Sequence, residues 1–284
     1  EFAMSMRRGF NADALPCLGT ASSPGGSNER EDLVLWGDSH GMVLASTIDR
    51  VAKELGLSGK AVLLAGVPPL PNVVRASRRD DARIVQRKLE IMDYLDENPP
   101  KNLLLVCRWS LYTDGQNEHT RGFPDAVLAD DETQLSTLEQ LFGQSSAAMS
   151  RNREILARNL DLLTSFCESR GIKPWVMQQV PEPGEEFPAR ALHMVSVRRK
   201  AELSDERRSE SQYRERQAAA EALFQQCASR GMSVIDPSPL LFDDDDLTVN
   251  YREGRSNYRD SHHLTAWGAS AMRGLITDVL RKMR

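Results

Sequence analysis

The feature that most constrains this chain is a series of short apolar runs without polar alternation. They lie at 33–36 (Leu33-Val34-Leu35-Trp36), 61–65, 102–107, 175–180 and 232–235. A strand with one wet face alternates in polarity, so a continuous apolar run must be covered on both faces, as in a parallel sheet between helical layers. Helical stretches separate the runs, at about 41–55, 82–95, 151–170, 209–230 and 265–283. In the third of these, Ile155, Leu156, Leu160, Leu162, Leu163 and Phe166 recur at helical spacing. The alternation predicts an α/β fold: a three-layer α/β/α sandwich around a roughly five-stranded parallel sheet, with right-handed crossovers. Two similar junctions, Cys167 to Ile172 and Cys227 to Met232, predict helices capped by Gly171 and Gly231 before the chain enters a strand.

Two connections are longer than such a fold needs. Residues 111–150 and 181–208 follow the third and fourth strands, so both leave from carboxyl ends, the sheet edge where ligands bind. Loops of this length there are expected to be functional. Residues 7–30, including Ser22-Ser23-Pro24-Gly25-Gly26-Ser27, have the composition of a flexible arm. Glu1 to Met4 reads like a cloning scar. The folded domain is therefore expected over 31–284, with order beginning at Leu33.

A net charge of −5 argues against a nucleic-acid partner. No stretch reaches the roughly 18 apolar residues that cross a bilayer. Four widely spaced cysteines, Cys17, Cys107, Cys167 and Cys227, form no CxxC pair and so none of the common zinc patterns. Cys167 and Cys227 are expected on helices covering the same sheet face, as separate buried thiols or as a disulfide. The aspartates Asp243 to Asp246 lack the alternating ligands and turn glycine of a calcium loop and read as solvated.

Two blocks carry chemistry. Gly37-Asp38-Ser39-His40-Gly41 lies between the first strand and the first helix. A serine on that turn projects above the sheet edge, beside helix N–H groups that favour negative charge. Such a block could also be a turn with a capping serine. The second block, Asp260-Ser261-His262-His263-Leu264, precedes the last helix. Its Asp–x–x–His spacing lets one turn supply a base, His263, and the carboxylate that orients it, Asp260. Of five histidines in the chain, two stand here and one beside Ser39, so the blocks read as one site with Ser39 as nucleophile. Gly37 to Gly41 also fits the Gly–x–Ser–x–Gly elbow of α/β-hydrolases. There, however, several strands precede the serine, and the acid and histidine sit on separate loops. Asp38–x–His40 with His262 and His263 hints at a two-metal phosphoesterase, but the further ligands such a site needs are missing, so no metal is expected.

Together these blocks resemble the SGNH hydrolase superfamily. Leu35 to His40, Pro68-Pro69-Leu70, Arg108 to Tyr112 and Asp260 to Gly268 look most like the SGNH domain fused to membrane acyltransferase-3 proteins. The resemblance spans about 33–275. It implies a flavodoxin-like SGNH fold and an O-acyltransferase domain, transferring an acetyl group in the usual case. The acyl group would pass through Ser39 to a carbohydrate hydroxyl of a bacterial surface polysaccharide or lipopolysaccharide. It implies a donor delivered by the membrane domain of the same parent chain, a periplasmic location tethered to the inner membrane, and no cofactor. Residues 6–30 would then be a linker from the last membrane helix. A carbohydrate esterase or lipase-type hydrolase and a non-catalytic carbohydrate-binding module are the alternatives. The family's Gly–x–Asn–Asp block, source of an oxyanion donor, is absent; Arg108-Trp109-Ser110 stands after the third strand instead. The resemblance leaves the backbone N–H groups of Ser39 and Gly66 as the oxyanion hole, and Arg108, Trp109 and His40 as candidate substrate contacts.

Overall fold

The computed structural model describes residues 15–20, 30–78, 81–115, 126–133, 145–183 and 207–284. Its frame is a six-stranded sheet of β1 (Cys17–Gly19), β2 (Leu33–Gly37), β3 (Ser58–Leu63), β5 (Asn102–Val106), β7 (Lys173–Met177) and β8 (Ser233–Ile235). The order is β1-β3-β2-β5-β7-β8. The five strands expected from the apolar runs are present and mutually parallel. The sixth corrects the sequence reading, because β1 pairs antiparallel with β3 from within the stretch read as a flexible arm. Three residues suffice for it because Leu15 and Leu18 are buried under the sheet edge. A composition dominated by Gly, Ser and Pro hides so short a strand. Arg30, at the end of the same stretch, donates to the carbonyls of Pro99 and Pro100 at 2.8 and 2.6 Å.

Both faces of the sheet are covered, as the runs require. Val34, Trp36, Leu103 and Leu105 point to one side, under α2 (Ala82–Glu97), α4 (Ser145–Arg170) and α5 (Glu210–Ala228). Leu33, Leu35, Leu104 and Val106 point to the other, under α1 (Ser39–Leu55), α6 (Ala266–Ala271) and α7 (Arg273–Met283). Each fully buried Leu or Val contributes roughly 1.5–3 kcal/mol, so these central strands anchor the domain. The expected final helix is two helices, broken at Met272 (φ −83°, ψ 1°). α6 sets Gly268 against the Asn257 carbonyl, where a Cβ would lie 2.2 Å from the oxygen, while α7 buries Ile276 and Leu280 in the α1 layer. Gly171, with φ +60°, directly follows its helix as foreseen. Gly231 is also left-handed at φ +96°, but its helix ends earlier, on Ser229 in right-handed geometry. Gly231 therefore turns the chain into the strand rather than capping the helix. Cys167 and Cys227 are buried in one cluster on the same sheet face and are free thiols. No described helix is long and apolar enough to cross a membrane.

Two elements from long connections flank the carboxyl edge. After β5 the chain forms α3 (Trp109–Asp114). Further on, β6 (Leu128–Ala129) pairs antiparallel with β4 (Val74–Arg75). Most of the second connection, 184–206, and parts of the first, 116–125 and 134–144, lie outside the described residues.

Candidate active site

The strand order puts β3 on one side of β2 and β5 on the other, so chain direction switches at the carboxyl ends of β2 and β5. That crevice is where an open α/β sheet binds ligands. Gly37 pairs with Leu63 and with Val106, so the three strands end level there. Only glycine fits at 37: a Cβ would lie 2.6 Å from the Val106 carbonyl oxygen. Asp38 then caps α1, accepting from His40 N–H at 2.8 Å, and Ser39 opens the helix.

Ser39 Oγ lies 2.8 Å from His263 Nε2. On the other side of the ring, His263 Nδ1 is 2.8 and 3.0 Å from the two oxygens of Asp260. The turn also brings the backbone N–H groups of His262 and His263 onto Asp260 at 3.1 and 2.7 Å. Partial burial works against ionisation of Asp260. The hydrogen bonds from the His263 ring and these two backbone N–H groups outweigh it and hold the carboxyl far below the usual range. An ionised Asp260 fixes the proton on Nδ1 and leaves Nε2 to accept one from Ser39. The two blocks read from the sequence therefore meet as a hydrogen-bonded serine–histidine–aspartate chain, with His263 rather than His262 on the serine.

A cavity of about 260 Å³ opens beside Ser39, walled by Gly66, Arg75, Arg108, Tyr112 and His262. Gly66 lines it with φ +67°, a conformation that glycine adopts without strain. Arg108 reaches the wall from a buried position, its Nε donating to Glu182 at 2.7 Å. Burial alone would raise the Glu182 carboxyl, but the charges of Arg108 and Arg216 bring it down to about 2. Gln179 completes this support, donating to Glu182 at 2.8 Å and accepting from Ser110 N–H at 3.0 Å. Asp38 is fully buried, which raises its pKa against the hydrogen bonds it accepts from Arg108 N–H (3.1 Å), His40 N–H and Tyr112 OH (3.2 Å). It thus ties the β2 turn to the β5 turn across the crevice.

Two expected substrate contacts are placed elsewhere. Trp109 is 1% exposed, its Nε1–H donates to the Met177 carbonyl at 2.8 Å, and its ring meets Phe224 edge-on at 5.0 Å. It is a core residue because α3 starts at once and turns its side chain under the sheet edge. His40 is buried behind the other two histidines, 5.7 Å from His262 and 5.0 Å from His263 between ring centroids, not on the cavity wall. Burial, then the neighbouring charges of His263 and Arg108, push His40 well below the ordinary histidine range. Burial and the Arg108 charge bring His262 down to about 4. His40, His262 and His263 each offer a nitrogen within 4.8 Å of the others, the spacing of a transition-metal site among the described residues. Both His263 nitrogens are already engaged, by Asp260 and Ser39, so a metal would have to displace one of them.

Arg75, Gln179 and Glu182 carried no motif, and Tyr112 only closed the Arg108 to Tyr112 block without a role of its own. Position was the further signal: Tyr112 and Glu182 fall in the two long connections from the carboxyl edge.

The model of the SGNH domain fused to AT3 domains matches residues 7–278. The chain belongs to this family. No curated protein matches it in sequence. Among solved structures, it is similar to the periplasmic domain of a lipopolysaccharide acetyltransferase from Salmonella ser. Paratyphi A. The TM-score is 0.56 at 11% identity, over 88% of this chain and 84% of that one. A GDSL-like lipase from Bacteroides thetaiotaomicron VPI-5482 follows at TM-score 0.45 and 11% identity, over 89% and 88% of the two chains. At 11% identity the likeness to the Salmonella domain concerns the fold alone. Membership of the SGNH family makes this domain a serine-dependent, acyl-handling enzyme.

Proposed function

We propose that this SGNH domain is the transfer half of an O-acyltransferase, moving an acyl group through Ser39 to a carbohydrate hydroxyl of a bacterial surface polysaccharide or lipopolysaccharide. The observation that carries the chemistry is the unbroken chain Ser39–His263–Asp260, open to a cavity on its serine side. His263 Nε2 takes the Ser39 proton as Oγ attacks the acyl carbonyl. Backbone N–H groups of Ser39 and Gly66 receive the oxyanion, a type of stabilisation worth roughly 3–4 kcal/mol per donor in other acyl-transfer enzymes. Collapse expels the donor's leaving group, which takes the proton from His263. An acceptor hydroxyl then repeats the sequence in reverse, giving ping-pong kinetics. The cavity wall is mostly polar and charged, without a wide apolar lining, which suits a short acyl group such as acetyl.

The family's fusion to AT3 domains supports a donor delivered by a membrane domain of the same parent chain. The Salmonella neighbour supports a periplasmic location, tethered to the inner membrane, and a lipopolysaccharide-type acceptor. Arg108, held on the cavity wall by Glu182, would contact donor or acceptor. The test is mass spectrometry of the chain with an activated acetyl ester and oligosaccharide acceptors. Acetylated sugar in wild type and none in Ser39→Ala is expected. Release of acetate alone across a broad acceptor panel would make the domain a hydrolase, and no acyl-serine at all would leave it a binding module.

A further inference from the structure

We propose that Arg75 is the side-chain donor to the oxyanion, taking the place left by the family's absent asparagine; this rests on the acyl-serine chemistry above. The residues at the asparagine's own position are committed elsewhere. The Ser110 hydroxyl donates to Gln179 at 2.9 Å, Trp109 is in the core, and Arg108 Nε is bound to Glu182. Arg75 arrives from a different element. It ends β4, and its guanidinium stands over the oxyanion glycine: a Cβ built on Gly66 would lie 3.8 Å from Nη2 and 3.9 Å from Cζ. Both residues wall the same cavity as Ser39.

The structure invests in holding this arginine there. β4 pairs with β6, which places Arg75 opposite Leu128, and Val74, Val127, Ala129 and Ala148 form a small apolar cluster beneath the ribbon. Asn152 on α4 staples it, accepting from Leu128 N–H at 2.8 Å and donating to the Ala126 and Tyr112 carbonyls at 2.7 and 2.9 Å. The Tyr112 ring lies 5.8 Å from the guanidinium carbon. Yet Arg75 has no hydrogen bond or ion pair among the described residues, and its Nε is buried without a partner there. Arg108, on the same wall, is paired with Glu182; among the described residues Arg75 has no such carboxylate. A cation on the wall of the nucleophile's cavity, matched by no anion among the described residues, suits a negative charge that exists only during reaction. As Ser39 Oγ bonds to the carbonyl carbon, the C=O π pair moves to oxygen and the serine proton to His263. Arg75 donates hydrogen bonds to that oxygen and transfers no proton, and the pair returns to the carbonyl as the leaving group departs.

The experiment compares wild type, Arg75→Lys and Arg75→Ala in the 284-residue chain on p-nitrophenyl acetate, a neutral ester. Labelling of Ser39 by a fluorophosphonate and thermal melting are read in parallel. Loss of one oxyanion donor commonly costs about 10²–10³ in kcat, so Arg75→Ala is expected to fall by that much with KM little changed and the melting midpoint intact. Arg75→Lys should retain part of the activity, and added guanidinium should restore part of it to Arg75→Ala. Wild-type kcat in Arg75→Ala on this ester would overturn the proposal, and selective loss on an anionic ester would make Arg75 a substrate-charge reader instead. A fall in kcat that guanidinium does not relieve, with a lowered midpoint, would overturn it in favour of a structural role. If wild type neither turns over the ester nor takes the phosphonate on Ser39, the acyl-serine reading itself fails and this inference with it.

Discussion

Glu182→Gln tests the support of the cavity wall. The carboxylate is 3% exposed and accepts from Arg108 Nε at 2.7 Å, Gln179 Nε2 at 2.8 Å and Arg216 Nε at 3.2 Å. Glutamine keeps the shape and an acceptor oxygen but removes the charge. Arg108 then loses this buried charge partner, while Arg216 retains Asp114 at 3.7 Å. The carboxyl titrates at about 2 in the folded protein against an ordinary 4.5. A difference of about 2.5 units corresponds to about 3 kcal/mol of stability at neutral pH, within reach of the roughly 3–5 kcal/mol lost when a buried ion pair is broken. Because the folded value is the lower one, this contribution is complete above pH 4.5 and is lost as pH falls toward 2. Urea denaturation of both proteins at pH 7 and pH 3 is the assay. The remaining carboxylates titrate in both proteins, so their difference isolates this one. The gap should be about 3 kcal/mol at pH 7 and roughly half that at pH 3. A gap below about 1 kcal/mol at pH 7, or one unchanged by acid, would refute the reasoning.

Ser39→Ala should abolish turnover of a small acetyl ester, a loss of roughly 10⁴ or more, with unchanged circular dichroism; retention of a tenth of the activity would remove Ser39 as nucleophile. His263→Ala should be as inactive and Asp260→Asn strongly impaired, whereas His262→Ala, which touches Ser261 rather than Ser39, should keep most of kcat. The reverse ranking of the two histidine variants would reassign the base. Trp109→Ala should cost roughly 3–5 kcal/mol of stability, as a core truncation does, read by chemical denaturation; a raised KM at unchanged stability would return Trp109 to the substrate.

Much of the fold was legible in sequence because burial on both faces leaves a mark that depends on little else. Each of the five apolar runs became a parallel strand. Ser39 was legible because a strand-to-helix turn is a local event. The Asp260–His263 pair was legible because three residues of spacing put carboxylate and imidazole on one turn, here at 2.8 Å. That this turn would meet Ser39 from 224 positions away had no local signal, and was read from the clustering of the histidines and from the family resemblance. Strand β1 was missed because its burial rests on contacts across the sheet, not on its own pattern.

What only the tertiary structure decided is direction and partnership. Trp109 and Arg108 are neighbours in sequence, yet one faces the core and the other the cavity, because α3 begins between them and rotates successive side chains apart. Arg75 reaches Gly66 only because β6, more than 50 positions later, holds its ribbon in place. Glu182 matters because Arg108 needs an anion at the end of another strand. Local spacing determined the residues that act within one turn. The charges around them were set by side chains brought together across the sheet edge, where the energy of a contact depends on distance and burial rather than on separation along the chain.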